Sequence, residues 1–290
     1  MAGRLMDYLG VCGCTVALVA SAGCGSDDEV SDSELFDTPS TDAGSGRPTV
    51  EGMFDADGHK LYLRCTGTGS PTVVFLHGSV REQGEAGHTR AGKLPALLDD
   101  RQRVCVYDRA NVGRSESVGG PLTGRDSARD LHALLRAADV PGPYVLLGAS
   151  LGGAIADIYA AKYPKEVAGM VLLDSTLPAY LDMYKRQFPP GSGPQPNEWK
   201  NEAELLDRLA TFRQAGEIQG HKPKIPVTYI AAAIVSLPAN IKTIIHKAQR
   251  QFVSRFAPGR MIVVKAPHNM VPAIPERIAN EVRRVTAASK

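Results

Sequence analysis

The sequence lacks the common motifs for binding a metal ion, a nucleotide or a nucleic acid. It has no His-Glu-x-x-His motif and no Cys-x-x-Cys pair with partner ligands, which excludes the commonest zinc sites. Gly67-Thr68-Gly69 is too short to be a phosphate-binding loop. The lysines and arginines are scattered rather than grouped with aromatic residues, unlike a nucleic-acid surface. We therefore expect no cofactor, no metal ion and no nucleic-acid partner.

Long apolar runs are also scarce, and the one near the N-terminus, residues 9–20, is too short to span a bilayer comfortably. Arg4 precedes this run, and the small residues 21–23 lead to Cys24, which is the order of an export signal. The pattern resembles a bacterial lipoprotein signal, in which the cysteine becomes the lipidated N-terminus. We expect residues 1–24 to be a signal peptide. The mature chain is then either lipid-anchored to the outer face of the membrane through Cys24 or secreted.

Positive charge is scarce in the first part of the chain. Residues 1–46 contain one basic and eight acidic residues, although the whole chain has a net charge of +2. Residues 25–48 are rich in Ser, Asp, Glu, Gly and Thr and have almost nothing apolar to bury. Such a composition cannot offset the entropy lost on ordering, so it predicts a disordered acidic linker. The linker would tether a single domain, residues 49–290.

Eight short runs in this domain have the pattern of strands, and the later ones are almost continuously apolar. They lie at residues 49–55, 60–65, 72–76, 103–107, 144–147, 169–173, 226–230 and 261–264. Helical patterns separate the later runs, which predicts a doubly wound, mostly parallel α/β sheet covered on both faces. The long connection between the sixth and seventh strands, residues 178–224, is expected to form a lid over the substrate pocket. The alternative is a surface excursion that does not touch the substrate.

The most informative motif is Gly148-Ala149-Ser150-Leu151-Gly152, between a buried run and a helical pattern. A Gly-x-Ser-x-Gly turn at such a place is a nucleophile elbow. Side chains at Gly148 and Gly152 would collide with the neighbouring strand and helix, and the strained turn would expose the Ser150 hydroxyl. The alternative is a glycine-rich turn in which Ser150 only caps the helix.

A serine hydroxyl becomes a good nucleophile only when a base takes its proton and an acid orients that base. Among the seven histidines, His268 directly follows the last strand, where the order Ser, acid, His places the base. The turn His77-Gly78-Ser79 follows the strand at 72–76 and suits an oxyanion hole formed by the backbone N–H groups of Ser79 and Leu151. His77 itself is expected to be structural.

Together these motifs resemble the serine hydrolases of the α/β-hydrolase fold superfamily over residues 50–288. The resemblance rests on His77-Gly78, the stretch 107–115, the elbow around Ser150, and His268. It implies a carboxylesterase-like or lipase-like enzyme that cleaves small-molecule esters through an acyl-enzyme. Amide, peptide, thioester or lactone cleavage and haloperoxidation remain open, as does a tethered binding protein without turnover. Within 107–115, Asp108 and Arg109 are expected to be structural.

The catalytic acid departs from the usual pattern of the superfamily. Its members usually place it in the loop after the seventh strand, yet there is no Asp or Glu from Ile225 through Asn269. Some members use the end of the sixth strand instead, where this chain has Asp174. We predict Asp174 as the acid. Otherwise Asn240 or a backbone carbonyl would orient His268.

Cys65 and Cys105 fall in the predicted strands 60–65 and 103–107. In an oxidising compartment they could pair, or they could remain two buried free thiols. The resemblance places these two strands side by side and so implies a structural disulfide between Cys65 and Cys105. The sequence does not define the oligomeric state.

Overall fold

The computed structural model describes residues 50–289, except positions 83, 189, 192–193, 222 and 234–237. The predicted signal peptide, Cys24 and the predicted linker 25–48 lie outside the described residues. In the described part of the chain, no helix combines the length and the apolar character needed to cross a membrane.

Within the described residues, eight strands form one sheet. In chain order they are β1 (Val50–Asp55), β2 (Lys60–Thr66), β3 (Thr72–Leu76), β4 (Val104–Tyr107), β5 (Tyr144–Ala149), β6 (Val167–Leu173), β7 (Val227–Ala232) and β8 (Gly259–Val264). Their order across the sheet is β1-β2-β4-β3-β5-β6-β7-β8. β2 pairs antiparallel with β1 and β4, and all other pairs are parallel. The predicted doubly wound, mostly parallel sheet is confirmed.

Helices cover both faces of this sheet. Those that the structure describes are α1 (Leu94–Leu98), α2 (Gly124–Ala137), α3 (Leu151–Lys162), α4 (Ala179–Gln187), α5 (Arg208–Glu217), α6 (Ala239–Val253) and α7 (Pro275–Ala288). α1 and α7 contribute to one apolar cluster, and α2 to α6 contribute to the other. The sheet therefore has an apolar layer on each side.

β3 shows how one strand serves both layers. Val73 and Phe75 belong to the cluster under α1 and α7, whereas Val74 and Leu76 belong to the opposite cluster. Successive strand residues point to opposite faces, so a strand buried on both sides must be apolar throughout. This explains the continuous apolar runs from which the strands were predicted.

Residues 178–224, here called the insertion, connect β6 to β7. The insertion contains α4, a short 3-10 helix at Glu198–Asn201 and α5. None of these three helices was predicted from the sequence. α5 packs onto the body of the domain, where the Gly124 N–H donates to Thr211 Oγ1 at 2.9 Å. That the insertion acts as a lid stays a prediction.

A disulfide joins Cys65 of β2 to Cys105 of β4. The two residues lie directly opposite each other in the antiparallel register of these strands. The predicted pairing is present, and the alternative of two free thiols is not what the structure shows.

Replacing Cys65 and Cys105 by serine should lower the free energy of unfolding by about 2–4 kcal/mol. The physical reason is that the bond closes a loop with a sequence separation of 40 and so restricts the unfolded chain. Urea unfolding with and without a phosphine reductant measures the change. The reductant should destabilise the wild type and leave the double variant unchanged, and equal midpoints for the wild type in both conditions would contradict the prediction.

Candidate active site

Ser150 lies in the tight turn between β5 and α3. Its φ of 50° is positive, which is rare for a residue with a side chain. Two backbone bonds hold it there: the Ser150 N–H donates to Leu173 O, and Ser150 O accepts from the Thr176 N–H, both at 3.0 Å. The Ser150 side chain makes no capping bond to α3, so the simple helix cap is not the arrangement found.

The glycines of the turn permit a close approach of α3 to the sheet. A Cβ at Gly152 would lie 2.1 Å from the Leu76 carbonyl oxygen of β3. A Cβ at Gly148 would lie 2.6 Å from the Gly153 Cα at the start of α3. The predicted collisions with strand and helix are confirmed.

Ser150, His268 and Asp174 form a continuous hydrogen-bonded series. His268, in the loop after β8, places its Nε2 3.1 Å from Ser150 Oγ and its Nδ1 2.7 Å from Asp174 Oδ2. The Asp174 side chain is 5% exposed and that of His268 is 29% exposed. With Nδ1–H donated to Asp174, the His268 Nε2 is free to accept the serine proton. The arrangement can activate the hydroxyl as a nucleophile.

Asp174 follows β6, and the end of β7 orients it. The Asp174 N–H donates to Ile230 O at 2.7 Å, and its Oδ1 accepts the Ala232 N–H at 3.3 Å. The end of β7, where the resemblance first led us to expect an acid, thus supplies backbone contacts to Asp174. The carboxylate, and not Asn240 or a carbonyl, accepts from His268 Nδ1.

Residues 77–80, here called the β3 loop, lie against Ser150. A Cβ at Gly78 would come within 3.3 Å of Ser150 Cβ. His77 is fully buried, and this burial, helped by the nearby Arg109 charge, lowers the pKa of His77 well below its usual value. The neutral His77 ring can then donate from Nδ1 to the Gly78 carbonyl at 2.8 Å. His77 faces its own loop, as a structural residue would.

The contact between Arg109 and Glu204, two residues that hold the β3 loop, was not predicted from the sequence. Arg109 was expected only to be structural, and no role was predicted for Glu204 in the insertion. The two form a buried ion pair with Nη2 and Oε2 2.8 Å apart, although they lie 95 positions apart in the chain. No local pattern in the sequence could have shown this contact.

Within the described residues no group of three His, Cys, Asp or Glu side chains is placed to hold a metal ion.

Comparison with known proteins gives consistent matches. A family model described as alpha/beta hydrolase fold matches residues 71–221. The uncharacterized protein YqjL of Bacillus subtilis is 34% identical over 133 residues, which are 44% of this chain and 49% of that protein. Human monoglyceride lipase is 33% identical over 130 residues, 42% of this chain and 41% of the lipase. The chain thus matches about half or less of the length of these curated relatives.

Among solved structures, a thermophilic esterase from Thermogutta terrifontis superposes with a TM-score of 0.55 at 19% identity. The match covers 81% of this chain and 97% of the esterase chain. At this level of identity the likeness concerns the fold.

Gly152→Ala should destabilise the protein by about 3 kcal/mol or prevent its folding, because the added methyl group would overlap the β3 backbone. Gly216→Ala is the matched control: it lies in α5, and its nearest contact for a Cβ is ordinary, at 3.8 Å. Thermal unfolding compares the two variants with the wild type. Equal melting temperatures for Gly152→Ala and Gly216→Ala would show that the close approach is not a constraint.

Proposed function

Because the chain belongs to the alpha/beta hydrolase fold family, we propose that it is a serine hydrolase that cleaves carboxylic ester bonds through an acyl-enzyme. The observation that carries this proposal is the hydrogen-bonded series of Ser150, His268 and Asp174. The similarity to human monoglyceride lipase supports esters as the substrate class.

In the proposed reaction Ser150 Oγ attacks the ester carbonyl carbon while its proton passes to His268 Nε2. The C–O bond to the leaving alcohol then breaks, and His268 returns the proton to the departing oxygen. Water attacks the acyl-enzyme by the same route and releases the acid and the free Ser150 hydroxyl. Asp174 keeps the His268 ring in the required tautomer and stabilises its positive charge.

The negative charge that develops on the carbonyl oxygen needs donors on the other side of the nucleophile. Leu151 is the first residue of α3, so its N–H has no acceptor inside the helix. We assign this N–H, together with that of Ser79 in the β3 loop, to the oxyanion hole. The positive end of the α3 dipole adds to the same effect.

We also propose that the protein works outside the cytoplasm, tethered to the membrane through Cys24 or secreted. The disulfide between Cys65 and Cys105 supports this location, because such bonds persist in oxidising compartments. The insertion, which lies beside the β3 loop, is proposed to shape the substrate pocket.

A fluorophosphonate probe should label the wild-type protein, and Ser150→Ala should abolish the labelling, because the probe reacts with an activated serine. Ser254→Ala, which removes a hydroxyl at the end of α6, serves as the control and should label normally. Mass spectrometry of the adduct locates the modified residue. A folded wild type that stays unlabelled would refute the enzyme and favour a binding protein.

Asp174→Asn should lower kcat for p-nitrophenyl esters by about 10⁴-fold, because the amide would favour the wrong His268 tautomer. Asp182→Asn, an exposed change on α4, is the matched control and should retain wild-type turnover. Esters of increasing acyl length, with thioesters, lactones and amides alongside, define the substrate class. Near-normal kcat in folded Asp174→Asn would disprove the assignment of the acid.

A further inference from the structure

We propose that Glu204 of the insertion is a positioning residue that acts through Arg109 to aim the Ser79 N–H at the oxyanion. This inference rests on the proposed function and deepens it. The insertion then supplies part of the support for the oxyanion hole, in addition to any role in shaping the substrate pocket.

The buried pair of Arg109 and Glu204 has a close, forked geometry. Arg109 Nε and Nη2 lie 3.0 and 2.8 Å from Glu204 Oε2. Their side chains are 3% and 1% exposed. Replacing such a pair by apolar groups is often neutral or stabilising, so stability alone does not explain it. The role of the pair is therefore to be found in the backbone groups that it holds in place.

Arg109 also donates hydrogen bonds to two carbonyl oxygens of the β3 loop. Its Nη1 donates to His77 O at 2.7 Å, and its Nη2 also donates to Gly78 O at 2.8 Å. The Gly78 carbonyl thus has two donors, since His77 Nδ1 lies 2.8 Å from it. The plane of the peptide between Gly78 and Ser79 is fixed by these contacts.

The orientation of the Ser79 N–H follows from peptide geometry. In a planar trans peptide the carbonyl and the next N–H point in opposite directions. With the Gly78 carbonyl turned toward Arg109, the Ser79 N–H points away from it. Among the described residues this N–H has no hydrogen-bond partner, and the adjoining Gly78 lies against Ser150. A free, fixed amide beside the nucleophile is what an oxyanion donor requires.

Glu204 holds the other end of the loop. Its Oε1 accepts the Val80 N–H at 2.8 Å, so one carboxylate contacts both Arg109 and the loop backbone. Glu204 is itself fixed, because its carbonyl accepts from Asn111 Nδ2 at 3.2 Å and the neighbouring Ala203 N–H donates to Arg81 O at 3.1 Å. The loop is therefore held between β4 and the insertion.

Charge adds to this geometry. The Arg109 guanidinium polarises the Gly78 carbonyl, and hydrogen bonds that share a peptide strengthen one another, which makes the Ser79 N–H a better donor. Glu204 compensates the positive charge of Arg109 in the interior. Without that carboxylate the guanidinium would be an unpaired buried charge and would adopt a new position.

Glu204→Gln should lower kcat for p-nitrophenyl esters by about 10- to 100-fold, a fraction of the loss expected for removing a whole oxyanion donor. KM should change little. The affinity for an aryl boronic acid, which forms a tetrahedral adduct at Ser150, should fall in parallel with kcat, because the adduct resembles the transition state. Wild-type kcat and boronate affinity in this variant would overturn the inference.

Asp157→Asn is the matched control, since Asp157 forms a buried pair with Arg255 at 3.0 Å that does not touch the β3 loop. It should lower the melting temperature while leaving kcat and boronate affinity unchanged. A loss of kcat equal to that of Glu204→Gln would show a general effect of disturbing buried pairs and would overturn the inference.

A double variant, Arg109→Met with Glu204→Leu, separates positioning from folding. Apolar side chains should preserve the fold, but they leave the carbonyls of His77 and Gly78 without donors from residue 109. We expect a folded protein whose melting temperature is lowered by the unpaired backbone groups of the β3 loop, with kcat still reduced. Recovery of wild-type kcat in the double variant would mean that the pair serves stability only.

Hydrogen exchange of the amides in residues 77–82 gives a readout that needs no turnover. Exchange should be faster in Glu204→Gln than in the wild type or Asp157→Asn, because the Val80 N–H loses a charged acceptor. A wild type that does not react with the fluorophosphonate would refute the proposed function, and the exchange comparison would still decide the positioning. Unchanged exchange in Glu204→Gln would overturn it.

Discussion

The site depends on the close approach of α3 to the carboxyl ends of the central strands β3 and β5. It exists because Gly152 has no side chain to meet the Leu76 carbonyl and Gly148 has none to meet α3. The same approach forces Ser150 into a positive φ, a strain of order 1–3 kcal/mol that the surrounding backbone bonds must hold. In return the Ser150 hydroxyl stands clear of the helix, within reach of His268.

Parallel topology then brings the other groups to the same edge. Ser150 follows β5, Asp174 follows β6 and His268 follows β8, so residues 94 and 118 positions apart come into hydrogen-bond contact. β6 lies between β5 and β7. An acid at the end of β6 therefore lies beside the strand that carries Ser150 and still reaches His268, and the end of β7 is available to orient it through the Ala232 N–H.

The sequence predicts what is local. The central strands are continuous apolar runs, and the elbow is a contiguous motif, so both could be identified without a structure. Asp174 was predicted from the resemblance, which allows an acid after β7 or after β6, because Ile225 through Asn269 has no carboxylate. α1 is too short for a helical period, and α4 and α5 lie in a connection rich in Pro and Gly. Glu204 could not be found, because its importance lies in a contact with Arg109 across 95 residues. The export signal stays a prediction.

The contacts of the insertion indicate how sequence changes there should act. Near Glu204 it is joined to the body of the domain by backbone bonds: the Leu122 N–H donates to Leu205 O at 2.9 Å, and the Asp207 N–H donates to Leu122 O at 2.8 Å. A segment held in this way behaves as part of the fixed domain. Changes around residues 202–207 should therefore displace the β3 loop, because Glu204 contacts this loop directly through the Val80 N–H.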